Sequence, residues 1–212
     1  MIQLYYYPSN ASMAPHMVLE EIGCLFELVL VDRAQNAHKS ADYLKLNPTG
    51  LIPLLVDDGT PIHQAAAICL HLADRFPDSG LAPPVGSAQR ARLYSWLMYL
   101  TNTLQAELLH YFYPERMADD AAMAARVKAH AEIRVVEMLD LLENHLAGSG
   151  PFVLGDSLSI ADHYLLMLCR WTRMHARPAQ ARPSLSRFID AMAARPAVQR
   201  VFAKEGLPLP WA

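Results

Sequence analysis

The sequence predicts two parts of different class: a small α/β domain followed by an all-α domain. Three observations carry this. Over the first 78 or so residues, short β-rich runs alternate with helical repeats. From Pro77 to Gly86 the composition turns to Pro and Gly. Beyond it strand patterns vanish, and apolar residues recur at three- and four-residue steps. The expected division is residues 1–78, a linker over 79–86, and a helical domain over 87–212.

Each element follows from local chemistry. Ile2 to Tyr7 is β-prone and stops at Pro8-Ser9. Ser12 precedes a helix in which Met13, Met17, Val18 and Ile22 share a face and Gly23 ends it. Phe26 to Val31 is a second strand, and Ser40 to Leu46 a short helix before the breaker Asn47-Pro48-Thr49-Gly50. Leu51 to Val56, the turn Asp57-Asp58-Gly59-Thr60 and the return Pro61 to His63 read as a hairpin. Ile68, Leu72 and Phe76 place a helix over Gln64 to Phe76.

After the linker, Ser87 caps a helix carrying Leu93, Leu97, Leu100, Leu104 and Leu108. Extended to His110, it is about 36 Å long. A second long helix spans Asp120 to Leu146 and stops at Gly148-Ser149-Gly150-Pro151. Ser159 and Asp162 have the spacing of a capping box, which assigns both to folding. Pro183 and Pro196 open two final short helices.

Composition narrows the function classes. Of 212 residues 53% are hydrophobic, enough for a sizeable core, and the net charge of -3 contains no block of like charge. That balance provides no electrostatic footprint for nucleic acid or an anionic membrane. No apolar run approaches the roughly 18 residues of a membrane span, and the start lacks the pattern of a signal peptide. Cys24, Cys69 and Cys169 form no CxxC or zinc-like pair and are expected as buried small hydrophobes, pointing to a reducing, cytoplasmic setting. The nine histidines form no HxxxH or HxH set, so no metal site is expected.

Two local features point beyond folding. Pro53 lies inside an apolar run, where a proline belongs at an edge or bulge; a trans edge-strand proline and a cis Ile52–Pro53 bond are both open. Ser12 sits at a strand-to-helix loop, where a plain N-cap and an anion-holding site are both open.

Over essentially its whole length the chain resembles the cytosolic glutathione transferases. The matching stretches are LYYYPSNASMAPH followed by VLEEIG, LNPTGLIPLLVDDGTPIHQAAAI with HLADRFP behind it, GDSLSIADHYLL, and RPSLSRFIDAMAARPAVQRVFAKEG. The opening is most similar to the bacterial beta-class enzymes. The resemblance implies a thioredoxin-like N-terminal domain joined to a helical domain, a homodimer, and glutathione as co-substrate.

It also implies roles by position. Ile52, before the cis-proline position Pro53, pairs its backbone with the cysteinyl part of glutathione. Gln64 and Ala65 hold the γ-glutamyl end, and Lys39, beside His38, falls near the position that contacts the glycyl carboxylate. Ser12 is the first candidate to hydrogen-bond the thiolate, with Asn10 and Tyr6 in reserve. The second substrate is expected between the domains, lined by Tyr99, Thr103, His110, Tyr111 and Tyr113. The chain departs from the pattern twice: Ala11 replaces the beta-class cysteine, and Ala65 stands where the family usually has serine.

The expected function is conjugation of glutathione to small hydrophobic electrophiles, a detoxification chemistry. Glutathione-dependent reduction of peroxides or disulfides, a glutathione-assisted isomerisation, and a non-catalytic binding or regulatory role are the alternatives.

Overall fold

A computed structural model describes residues 1–209; the last three residues of the expected helical domain lie outside them. The chain runs β1 (Ile2–Tyr6), α1 (Met13–Ile22), β2 (Phe26–Leu30), α2 (Ala41–Leu46), β3 (Leu54–Asp57), β4 (Thr60–His63) and α3 (Ala65–Arg75). It continues through α4 (Ala88–Tyr99), α5 (Ala106–Phe112), α6 (Ala121–Ser149), α7 (Ile160–Trp171), α8 (Pro183–Ala193) and α9 (Pro196–Lys204). These group into two compact units, one formed by Met1–Ala82 with the described residues from Ala193 on, the other by Pro83–Met192.

In the first unit the sheet order is β2-β1-β3-β4. The helical crossover through α1 makes β1 and β2 parallel, while β3 runs antiparallel to β1 and to β4. Asp58 and Gly59 both have positive φ, 48° and 84°, as a two-residue hairpin turn of matching twist requires. Leu4 and Leu55, paired across β1 and β3, are fully buried on one face. On the other, Val31, Tyr43 and Leu54 form a cluster against Tyr5, Ile52 and Val56. The two-residue period of the strands thus supplies both faces with apolar side chains.

Helix α9 returns to this unit and packs on α1. Arg200 Nε and Lys204 Nζ each lie 2.5 Å from a carboxylate oxygen of Glu20 on α1. Burial works against the Glu20 charge, but these two cations overcome it and hold the carboxyl below its usual range.

The second unit is helical. Leu93, Leu97, Leu100, Leu104 and Leu108 are all fully buried, as their spacing predicts. The helix expected to end near His110 reaches Phe112 and contains a π-helical stretch over Leu100–Gln105. Burial raises the Asp162 pKa, opposed by donation from Val153 N–H at 2.7 Å and from Ser159 Oγ–H and N–H, both at 2.8 Å. The Ser159 contacts close the capping box.

Two expectations need correction. The strand expected from Leu51 starts at Leu54, because residues 51–53 form a loop around a cis Ile52–Pro53 peptide. Cys69 and Cys169 are buried, but Cys24 is partly exposed, since it follows the helix-ending Gly23 in the turn before β2. Among the described residues no helix is long and apolar enough to cross a membrane.

Candidate functional site

Strand register brings the candidate residues of the first unit to one end of the sheet. Tyr5 lies opposite Leu54, and Leu54 opposite His63. The next residues along, Tyr6, Pro53 and Gln64, therefore share that edge. Helices α1 and α3 both begin there, so their N-termini add positive potential at the same place. Neither has a side-chain cap: Ser12 and Gln64 occupy the N-cap positions without a capping hydrogen bond.

The loop between β1 and α1 is tied internally. Ser12 is fully buried and donates its hydroxyl proton to Tyr7 C=O at 3.1 Å, while its Oγ accepts from Tyr7 N–H at 3.3 Å. It is thus neither a helix cap nor an open hydroxyl; it closes the loop. Asn10 Oδ1 accepts from Ala11 N–H at 2.7 Å, whereas its Nδ2 has no partner among the described residues. Tyr6, the other reserve, packs edge-on against His16 at 6.1 Å between ring centres.

The segment before Pro53 is held by a buried asparagine. Asn47 Oδ1 accepts from Thr49 N–H and Oγ1–H at 3.2 and 2.7 Å. Its Nδ2 donates to Leu51 C=O at 2.7 Å, and Tyr43 Oη–H donates to the same oxygen at 2.7 Å. Burial pushes the Tyr43 hydroxyl up to about 12, so it remains a donor at neutral pH. Neither N–H nor C=O of Ile52 has a partner among the described residues. Gly50, at φ 59°, is where Lys39 arrives: a Cβ there would lie 2.7 Å from Lys39 Nζ and 3.1 Å from His38 C=O. Lys39 has no ion pair among the described residues.

Gln64 is exposed and adopts φ 73°, a conformation costing a non-glycine residue roughly 1–3 kcal/mol. The hairpin and the start of α3 impose it from both sides. Ala65, directly after, is buried at the first turn of α3.

Sequence reasoning missed the groups that hold the first loop from behind. Glu205, just beyond α9, accepts from Ser9 N–H at 2.9 Å through Oε2, and its Oε1 meets His16 Nδ1 at 2.8 Å. A lone Glu some 190 residues away carries no local signal of this contact.

The candidates for the second substrate lie in the helical unit. Tyr99 donates to Met138 C=O at 3.3 Å, which turns it against α6. Thr103 sits in the π-helical stretch. Tyr111 is buried, stacked on His175 at 3.9 Å with Lys128 Nζ 4.8 Å from its ring centre. Burial, reinforced by Lys128 and partly offset by Glu132, holds the His175 pKa down. His110 is 3.8 Å from Glu107, and Arg116 lies over the Tyr113 ring at 4.0 Å. Among the described residues no group of three or more His, Cys, Asp or Glu is placed to hold a metal ion.

A four-stranded mixed sheet with a cis-proline loop at one end, followed by a helical unit, defines a thioredoxin-like two-domain protein. Residues 1–74 match the glutathione S-transferase N-terminal domain and residues 102–205 the C-terminal domain. The chain belongs to the glutathione S-transferase family and is an enzyme of that type. It is 32% identical to a glutathione S-transferase, GstA, of Escherichia coli O157:H7, covering 97% of this chain and 100% of the relative. A sphingomonad glutathione S-transferase solved in complex with glutathione superposes with a TM-score of 0.86 at 35% identity, covering 97% and 100% of the two chains. A beta-class enzyme of Sphingomonas chungbukensis superposes with a TM-score of 0.85 at 31% identity, covering the same shares.

Proposed function

We propose that the protein conjugates the glutathione thiolate to small, hydrophobic electrophiles. The observation that carries this reading is the unpaired Ile52 backbone at the sheet edge where two uncapped helix N-termini also begin. Ile52 N–H and C=O pair with the cysteinyl residue of glutathione. Gln64 and the N–H of Ala65 take the γ-glutamyl end, and Lys39 takes the glycyl carboxylate.

The sulfur comes from glutathione, because the loop presents Ala11 in place of a cysteine and burial pushes the Cys69 and Cys169 thiols far up. A free thiol of pKa about 8.5 is only about 3% ionised at pH 7. Lowering it by two units makes it roughly 75% ionised, which takes about 2.7 kcal/mol of differential stabilisation. Asn10 Nδ2 as donor and the N-terminus of α1 supply energy of that order. Ser12 serves by holding the loop, and Tyr6 by packing. The thiolate then attacks the electrophilic carbon, the new C–S bond forming as the leaving group departs with its electron pair. Tyr111 and Tyr113, with Tyr99, Thr103 and His110, supply apolar and polar contacts for that substrate.

The enzyme works as a cytoplasmic homodimer in detoxification; three free cysteines support the reducing compartment. Ala65 favours a second reading, a non-catalytic transferase-like protein kept for binding or regulation with little affinity for glutathione, because the usual hydroxyl contact is missing.

Calorimetry with glutathione separates the two. Micromolar affinity supports the enzyme, and no heat up to several millimolar overturns it. Titrating the thiolate absorbance of bound glutathione then tests the donor: Asn10→Ala should raise the thiol pKa by about one unit, and an unchanged pKa removes Asn10 from the mechanism.

A further inference from the structure

His175 lies on the segment between α7 and α8, and the proposed conjugation gives it no part. Only 5% of it is exposed, and neither Nδ1 nor Nε2 has a hydrogen-bond partner among the described residues. Its ring stacks on Tyr111 of α5, with 3.9 Å between centres and 30° between planes. Trp171, at the end of α7, is buried beside it in sequence, edge-on to Phe112 of α5. Its Nε1–H also has no partner among the described residues. Two neighbouring rings of α5 thus meet two rings from α7 and the segment behind it.

That setting suits the neutral imidazole alone. An imidazolium carries two N–H donors and a full charge, and here it meets neither an acceptor nor water. The groups facing it are Tyr111 from α5 and Lys128 and Glu132 from α6. Lys128 Nζ sits 4.8 Å from the centre of the Tyr111 ring, so a charged His175 would add a second cation to the same ring. Glu132 opposes this, but its Oε1 accepts from Ala176 N–H at 2.9 Å. Tyr111 stays a neutral phenol, because burial and Glu132 raise its pKa. The arginines of the segment are engaged elsewhere, Arg173 on Arg170 C=O at 3.1 Å and Arg177 on Asp140 at 3.3 Å.

The segment is tied at its foot and latched at its middle. Thr172 Oγ1–H donates to Cys169 C=O at 2.8 Å, and its oxygen accepts from Ala179 N–H at 2.9 Å. Among residues 173–178 only His175 is buried, while its neighbour Met174 is 73% exposed. We propose that His175 is an acid-sensitive latch: its neutral ring holds this segment on α5, and uptake of a proton releases it.

Burial with Lys128 outweighs Glu132 and keeps the folded-state pKa of His175 below the ordinary 6.5. The latch therefore contributes full stability above pH 6.5 and loses it as pH falls from that unfolded-state value to the lower folded-state one. The test compares ligand-free wild type with His175→Phe, which keeps a ring against Tyr111 but takes no proton. The other histidines titrate in both proteins. Between pH 7.5 and 5.5 the ratio of folding constants, wild type over variant, should fall by up to about tenfold in urea unfolding. Over the same interval the ratio of amide exchange rates at Tyr113 and Ala179, wild type over variant, should rise several-fold. In backbone-assigned wild type the His175 ring resonances should titrate with a midpoint below 6.5, a readout that holds even if His175→Phe fails to fold. A midpoint at or above 6.5, or ratios that stay constant with pH, overturns the proposal. None of these measurements involves glutathione, so failure here leaves the proposed transferase reading standing.

Discussion

His16 Nδ1 and Glu205 Oε1 lie 2.8 Å apart, and both side chains are closed to solvent. The second oxygen of Glu205 takes the N–H of Ser9. One carboxylate therefore anchors both α1 and the loop in front of it, and the position of Asn10 depends on a residue near the far end of the chain.

Glu205→Ala leaves the Ser9 N–H and His16 without their shared acceptor. Leaving buried hydrogen-bonding groups unsatisfied costs about 1–3 kcal/mol each. Denaturant unfolding should show that loss, together with weaker glutathione binding. Wild-type stability would mean that the loop and α1 hold their place without Glu205, with α9 kept on α1 by its remaining contacts, Arg200 and Lys204 on Glu20 among them.

Ser12→Ala should act on stability before chemistry. It strips Tyr7 C=O and N–H of their hydroxyl partner in a buried setting, at a cost of about 1–3 kcal/mol. The pKa of bound glutathione should stay within a few tenths of wild type. A large rise in that pKa at unchanged stability would return the thiolate-donor role to Ser12.

Ala65→Ser restores a hydroxyl at the first turn of α3. One hydrogen bond to a charged group is worth about 1.5–3 kcal/mol, so glutathione should bind at least tenfold more tightly. Calorimetry of the variant checks this, and unchanged affinity would move the γ-glutamyl carboxylate away from Ala65.

Glu143 gives a pH signature remote from the site. Its carboxylate accepts from Ser184 N–H at 2.9 and 3.0 Å and from Leu185 N–H at 2.9 Å, capping α8 from outside. Burial works against the charge, but these backbone donors win and hold the pKa below its usual value. A depressed folded-state pKa adds stability above the unfolded-state value near 4.5 and loses it as pH falls through the folded-state value. Glu143→Gln should therefore be less stable than wild type at pH 7, by about 1 kcal/mol, with the difference closing as the pH falls from the unfolded-state value through the lower folded-state one. A gap that does not narrow on acidification would assign the effect to packing.

The local layers of this fold were legible in the chain. The buried leucine ladder of α4 and α5, the Asp58-Gly59 turn and the Ser159–Asp162 cap each depend on residues within a few positions of one another. Spacing is enough to reveal such interactions. The cis bond at Pro53 was left open by the local pattern and implied by the family resemblance. The start of β3 was misplaced because an apolar run looks the same whether its backbone pairs in a ladder or leaves it as a loop.

By itself, then, the sequence determined the two-part architecture and the family. Periodicity and motif order are properties of neighbours along the chain. Only the tertiary structure decided what particular residues are free to do: that Ser12 closes its loop, that Asn10 Nδ2 has no partner among the described residues, and that Glu205 reaches Ser9. A hydrogen-bonding group has a fixed number of donors and acceptors, and which partners occupy them is settled only when distant segments meet.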